Sequence, residues 1–146
     1  METSQRPAVL YTDGAARGNP GPAGAGFVLC DPQGGALTQR GIPLGEATNN
    51  VAEYRALIAG LHEARAIGIK HLLVRTDSEL VSRQLNGRYR VKSANLRPLY
   101  EWARRLMRQF ETIQIQHIPR EENLEADRLA GEAAKRAEKA SHERES

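Results

Sequence analysis

The chain has few of the residues and segments that disulfide-bonded, zinc-binding or membrane proteins need. A single cysteine, Cys30, excludes a disulfide within the chain and a zinc site built from cysteines, and it fits a reducing compartment. No stretch approaches the roughly 20 consecutive apolar residues of a membrane span. The first residues, METSQRPAV, lack the basic and then apolar layout of a signal peptide. We therefore expect a soluble cytoplasmic protein with no membrane partner.

Basic residues are concentrated in one segment of the chain. Residues 82–110 contain eight arginines and lysines but only one acid, Glu101, so the segment has a net charge of +7. The whole chain carries only +3, which leaves −4 on the remainder. A basic segment of this kind favours a polyanionic partner, because neutralised phosphates release their counterions. A solvated basic helix face is the alternative interpretation of the same charges.

The spacing of apolar residues predicts a mixed α/β domain. Five strands are predicted, at 8–13, 25–30, 36–44, 71–77 and 112–118. Four helices are predicted, at 50–67, 79–86, 96–109 and from about 124 onwards. This order predicts a single α/β domain in which helices cover a mixed sheet. We place the domain at 7–138 and expect the polar end, 139–146, to be disordered.

Four acids lie where predicted strands end or predicted helices begin. Asp13 and Asp77 each end a strand, and Glu53 and Asp127 each lie in a first helical turn. Each acid has an ordinary structural explanation. Asp13 precedes Gly14 in a favoured turn dipeptide, and the other three suit helix capping or the helix dipole.

Taken together, the four acids predict a cation site. If the strands that carry Asp13 and Asp77 are parallel neighbours, both carboxylates lie at one edge of the sheet, where open α/β sheets bind ligands. Carboxylates that converge there repel one another unless cations lie between them. Ligation by oxygen alone suits Mg²⁺ or Mn²⁺. Two such ions about 3.5–4 Å apart activate a water and stabilise the leaving oxygen of a phosphodiester.

Four sequence blocks in a fixed order carry a family resemblance. They are YTDGAARGNPGPAGAG, NNVAEYRAL, VRTDSELV and HIPREENLEADRLA, and they span about Leu10 to Ala134. In this order they resemble the blocks of type 1 ribonuclease H. The resemblance implies a ribonuclease H-like fold, with a five-stranded mixed sheet flanked by helices. It also implies divalent-metal-dependent cleavage of the RNA strand of RNA–DNA hybrids, giving 5′-phosphate and 3′-hydroxyl ends. Position by position, it assigns metal binding to the four acids Asp13, Glu53, Asp77 and Asp127.

The resemblance also implies a set of residues that contact the hybrid. These are Gly18, Asn19, Thr48, Asn49, Asn50, Ser93 and Asn95. Small side chains let the backbone approach the minor groove, and asparagine amides reach base edges and 2′-hydroxyls. Thr48 matches a position that holds a DNA phosphate, and Ser93 or Asn95 completes that pocket. A turn at Asn19 and helix capping at Asn49 and Asn50 also explain these asparagines, and a structural role is compatible with contact to the hybrid.

Two segments depart from the pattern of many family members. The loop before the last acid is short, and its Arg120 resembles the arginine of short-loop members, which implies a catalytic contact with phosphate or developing charge. Arg120 is always protonated and therefore cannot be a general base. His117 alternates with Ile113 and Ile115, so we expect it to face the core. The stretch LNGRYRVKSANLRP has no room for the basic helix that some members insert. We therefore expect weaker and more salt-sensitive binding.

Three functions are compatible with these residues. The first is hydrolysis of RNA in RNA–DNA hybrids by a monomeric enzyme with two Mg²⁺ or Mn²⁺ ions. The second is cleavage of double-stranded RNA or of RNA–DNA junctions by the same fold, and groove shape decides between these duplexes. The third is a catalytically silent hybrid-binding module. The intact acids argue against the third, because binding alone does not require mutually repelling carboxylates.

Overall fold

Five strands and four helices follow one another along the chain in the predicted order. A computed structural model describes residues 6–145. The strands are β1 Ala8–Ala16, β2 Gly21–Cys30, β3 Ala36–Ala47, β4 His71–Thr76 and β5 Thr112–His117. The helices are α1 Asn49–Ile67, α2 Glu79–Leu85, α3 Arg97–Met107 and α4 Leu124–Glu145. A 3₁₀ turn, Arg120–Glu122, leads into α4.

The strands form one mixed sheet in the order β3-β2-β1-β4-β5. The central strand β1 pairs antiparallel with β2 and parallel with β4. The last parallel pair is Thr12 with Thr76, so the next residues, Asp13 and Asp77, lie at the same edge. The strands that carry these two acids are thus parallel neighbours, as the prediction of a shared site requires.

The helices cover the two faces of the sheet in different ways. Large apolar side chains fill the core between α1 and the sheet, namely Leu10, Phe27, Leu29, Tyr54, Leu57, Leu61, Leu72 and Val74. Burial of each stabilises the fold by about 1.5–3 kcal/mol relative to exposure. On the other face, α4 packs closely on β2, where a Cβ added to Gly26 would lie 2.5 Å from the Ala126 carbonyl oxygen. Only small residues allow so close an approach of helix and strand.

Two boundaries differ from the sequence expectation. The first strand does not end at Asp13, because β1 stays paired with β2 as far as Ala16. Helix α4 continues past the expected domain end at 138 to Glu145, while Ser146 lies outside the described residues. Alanine, lysine, arginine and glutamate favour helix even where little apolar surface is buried. Between residues 6 and 145, no helix has the length and apolar character needed to cross a bilayer.

Candidate active site

Three carboxylates meet at the sheet edge beside the end of β4. Asp13, Glu53 and Asp77 each offer an oxygen, and these oxygens all lie within 4.8 Å of one another. Asp13 is only 4% exposed, while Glu53 and Asp77 are partly buried. A cleft of about 350 Å³ opens here, and its lining also includes Asp127, Arg120 and Asn49. The fold thus brings all four predicted acids to one cleft.

Glu53 reaches the cleft because α1 lies very close to β1. Its Oε1 accepts a hydrogen bond from the backbone N–H of Gly14 at 3.1 Å. A Cβ on Gly14 would lie less than 3.0 Å from the backbone of Ala52 and Glu53, so a side chain there would push the helix away. The helix itself is capped by Thr48, whose hydroxyl accepts from the N–H of Val51 at 3.2 Å. The carboxylate of Glu53 is therefore directed to the strand, and the capping explanation for this acid is wrong.

Asp127 reaches the cleft through the packing of α4 on β2. Gly26, which α4 touches at Ala126, pairs directly with Asp13 across the β1–β2 ladder. Asp127 follows Ala126 in the first turn of α4, where an acid also complements the helix dipole. Its Oδ1 lies 3.4 Å from Nη2 of Arg120, a side chain that is 74% exposed. Arg120 therefore stands at the mouth of the cleft, beside the fourth acid.

The acids perturb one another strongly. Burial raises the pKa of Asp13 to about 10, with further contributions from the charges of Glu53 and Asp77 and from interaction with Asp127. Burial and the charge of Asp77 raise the pKa of Glu53 to about 8, although hydrogen bonds from Asp13 and Gly14 oppose the rise. Oxygen donors gathered at this density suit a hard divalent cation, which would relieve the repulsion. The residues present fit such an ion.

Sequence reasoning missed one residue of this site, Asn123. It lies directly before α4 and is 1% exposed. Its Nδ2 donates to the Thr12 carbonyl at 2.9 Å and lies 3.4 Å from Oδ1 of Asp77. The only signal in the sequence is an asparagine at the start of a helix, four residues before Asp127, which by itself indicates helix capping.

Asparagines join the first loop to the start of α1. The Oδ1 of Asn49 accepts from the N–H of Ala16 at 3.0 Å, and the N–H of Asn49 donates to Oδ1 of Asn19 at 3.0 Å. Gly18, next to Asn19, has a φ of 99°, which favours glycine. Asn50 is exposed in the first turn of α1. Five of the seven predicted substrate residues, including Thr48, thus surround one loop–helix junction beside the acids.

The remaining predicted residues lie elsewhere. The hydroxyl of Ser93 accepts from the N–H groups of Asn95 and Leu96 at 3.2 and 3.4 Å, which organises the turn before α3. Neither Ser93 nor Asn95 lines the acidic cleft. His117 is exposed, so the expectation that it faces the core is wrong. It is the last residue of the edge strand β5, beyond the core position of Ile115.

A basic surface extends from the α2–α3 connection along α3. A pocket of about 560 Å³ is lined by Arg90, Lys92, Arg97 and Tyr100, among others. Tyr100 also lines a second pocket of about 380 Å³, with Arg104, Arg105 and Arg108. Residues 86–96 contain no helix, which agrees with the form of the family that lacks the extra basic helix. We call the residues lining these two pockets the α3 basic surface.

Known proteins are similar to this chain over most of its length. Residues 11–133 match the family described as reverse transcriptase-like. Ribonuclease HI of Halobacterium salinarum is 46% identical over 123 residues, which are 84% of this chain and 62% of that protein. The bifunctional protein Rv2228c of Mycobacterium tuberculosis is 46% identical over 126 residues, which are 86% of this chain and 35% of that protein. The chain thus spans less than two thirds of either relative.

Solved structures share the fold. The N-terminal RNase H domain of Rv2228c is 43% identical, with a TM-score of 0.91 over 94% of this chain and 99% of that one. LC11-RNase H1, in complex with an RNA/DNA hybrid, is 41% identical, with a TM-score of 0.84 over 89% of this chain and 98% of that one. The chain belongs to the reverse transcriptase-like family, and its fold is that of the type 1 ribonucleases H.

Proposed function

We propose that this chain is an endoribonuclease that hydrolyses the RNA strand of RNA–DNA hybrids with two divalent cations, Mg²⁺ or Mn²⁺. The observation that carries the proposal is the convergence of Asp13, Glu53 and Asp77 within 4.8 Å, with Asp127 on the same cleft. The likeness to proteins named ribonuclease HI and to a structure that holds an RNA/DNA hybrid supports it.

The four acids would hold the cations, with Asp13 between its neighbours Glu53 and Asp77. The chemistry that bound cations would supply is activation of a water and stabilisation of the leaving 3′-oxygen of the cleaved phosphodiester. The chain's own groups fix this arrangement, since the N–H of Gly14 holds the Glu53 carboxylate against β1. Arg120 would bind a phosphate of the RNA strand or its developing charge, because its guanidinium is exposed and permanently charged.

Two surfaces would recognise the duplex. At the loop–helix junction, the Oδ1 atoms of Asn19 and Asn49 already accept hydrogen bonds within the protein. Their Nδ2 groups are therefore the donors for acceptor atoms in the minor groove, including 2′-hydroxyl oxygens. The α3 basic surface would bind backbone phosphates outside the cleft. The cleft would therefore require the RNA strand, whereas the α3 basic surface would accept the phosphates of either strand.

The decisive test compares substrates and cations in parallel. The full chain is incubated with a labelled RNA–DNA hybrid, double-stranded RNA, double-stranded DNA and an RNA–DNA junction, each with Mg²⁺, Mn²⁺ or EDTA. We expect cleavage of the RNA strand of the hybrid only with a cation, with 5′-phosphate ends identified by labelling. Asp13→Asn removes the charge of the central acid and should abolish cleavage.

The outcomes separate the proposal from its alternatives. Faster cleavage of double-stranded RNA or of the junction than of the hybrid favours the second function. Tight binding of the hybrid without cleavage under any cation favours a silent binding module. Equal cleavage by Asp13→Asn and the unmodified chain contradicts the metal site itself. The monomeric state and the cytoplasmic location stay predictions.

A further inference from the structure

Asn123 is a buried polar residue with no part in the chemistry proposed above. Its side chain is 1% exposed, and its Oδ1 is buried without a hydrogen-bond partner among residues 6–145. Buried polar atoms in folded proteins nearly always have a partner, so an orphan oxygen requires a physical reason. An apolar residue of similar size would avoid the cost of this desolvated oxygen. The reason must therefore lie in what the amide nitrogen does.

The orientation of the amide is determined by its neighbours. Nδ2 lies 2.9 Å from the Thr12 carbonyl oxygen and 3.4 Å from Oδ1 of Asp77. A backbone carbonyl oxygen only accepts hydrogen bonds, so the NH₂ group must face Thr12, and the same group then lies toward Asp77. Rotating the amide would place Oδ1 against two oxygens. The orphan oxygen is thus the consequence of directing both N–H donors toward the sheet edge.

Asn123 links the segments that carry three of the four acids. Thr12 immediately precedes Asp13 on β1, and Asp77 itself receives the second contact. The backbone carbonyl of Asn123 accepts from the N–H of Asp127 at 3.0 Å. Three different segments, β1, the end of β4 and the first turn of α4, are therefore connected through this one residue. Glu53 is held independently, by Gly14.

We propose that Asn123 is a positioning residue that sets the spacing of Asp13, Asp77 and Asp127 and so maintains a high affinity for the divalent cation. This inference rests on the proposed function. Alanine at this position has no donor. Aspartate has nearly the same size, but it would set a fifth acid against the Thr12 carbonyl and Asp77, so it should be the more harmful of the two.

The experiment measures Mn²⁺ binding to the full chain by calorimetry, for the unmodified protein, Asn123→Ala and Asn123→Asp. The control is Asn86→Ala, because Nδ2 of Asn86 also donates to a strand carbonyl, that of Ile115 at 3.2 Å, on a strand that carries none of the four acids. We expect Mn²⁺ affinity to fall about 10-fold or more in Asn123→Ala, as for other residues that orient metal ligands, and further in Asn123→Asp. Asn86→Ala should bind Mn²⁺ like the unmodified chain.

Kinetics on the hybrid provide a second measurement. At limiting Mn²⁺, Asn123→Ala should lower kcat and leave KM for the hybrid nearly unchanged, since the Asn123 side chain is 1% exposed and offers almost no surface to a duplex. Higher Mn²⁺ should restore part of kcat. A kcat that stays low at saturating Mn²⁺, with unchanged Mn²⁺ affinity, overturns the positioning role.

The failures of the two proposals are distinguishable. An unmodified chain that binds no divalent cation contradicts the proposed function before any variant is compared. If the unmodified chain binds Mn²⁺ and both Asn123 variants bind it equally well, only the positioning role is overturned. Urea unfolding checks each variant. Two unfolded variants mean that Asn123 serves the fold as a whole, which also overturns the proposal.

Discussion

Replacing Asp13 by asparagine should remove activity and at the same time stabilise the cation-free protein. The side chain is 4% exposed, and burial and the neighbouring acids raise its pKa to about 10. In the unfolded chain an aspartate titrates near pH 4. Folding at neutral pH therefore forces this carboxyl to take up a proton or to remain charged among other acids. Asparagine has no proton to take up and no charge to bury.

The size of the effect follows from the gap between these pKa values. At pH 7 the folded protein keeps this carboxyl protonated about 3 pH units above the pKa of the unfolded chain. At about 1.36 kcal/mol per unit, this lowers the free energy of unfolding by about 4 kcal/mol. The amide introduced by Asp13→Asn makes less favourable hydrogen bonds in this site, which reduces the gain by about 1 kcal/mol. We expect Asp13→Asn to raise the free energy of unfolding by about 2–3 kcal/mol at pH 7 in EDTA. Because the folded pKa is raised, the wild-type penalty is absent near pH 4 and grows as pH rises toward 10.

Urea unfolding followed by circular dichroism, at several pH values in EDTA, measures this difference. Glu101→Gln is the control, because Glu101 is an exposed acid on α3 and its removal should change stability little. Added Mn²⁺ should stabilise the unmodified protein and reduce the gap, since it binds the folded state with ionised acids. An Asp13→Asn protein no more stable than the unmodified chain at pH 7, with no pH dependence of the difference, would refute the reasoning.

Three further predictions concern the cleft, the α3 basic surface and the packing of α4. Arg120→Ala should lower kcat on the hybrid about 10-fold with Mn²⁺ affinity retained, and Arg120→Lys should recover part of it in steady-state kinetics. Changing Arg105 and Arg108 together to glutamine should weaken hybrid binding, and the slope of log affinity against log salt should fall by about 1 per lost phosphate contact. Gly26→Ala should destabilise the protein to urea by about 1–3 kcal/mol and lower activity, because α4 must move away from β2.

The sequence predicted strands and helices correctly where the spacing of apolar residues matches the residues that are buried in the fold. Alternating apolar residues located β5, helical spacing located α1, and Gly68 marked the end of that helix. The acids could be grouped because one topological fact, that β1 and β4 are parallel, determines where Asp13 and Asp77 lie. A cluster of acids can thus be predicted from the sequence when the strand order shows that their strands end at the same edge of the sheet.

Features that depend on distant partners could not be read from local pattern. The small residues after Asp13 indicate a turn, yet pairing with β2 keeps them in a strand. Asn123 resembles an ordinary helix-capping residue because its partner Thr12 is 111 positions away. The polar tail has little apolar surface, but its residues have high helical propensity, and α4 continues to Glu145.

Two glycines determine how closely the helices that carry Glu53 and Asp127 approach the sheet. Gly14 admits α1, and with it Glu53, to the side of β1, and Gly26 admits α4, and with it Asp127, to the side of β2. Neither glycine carries a functional group, yet the absence of a side chain at each lets a helix lie directly against a strand. Redesign of the cleft for a larger or smaller cation would therefore start from these two glycines, because they determine how closely α1 and α4, with Glu53 and Asp127, approach the sheet.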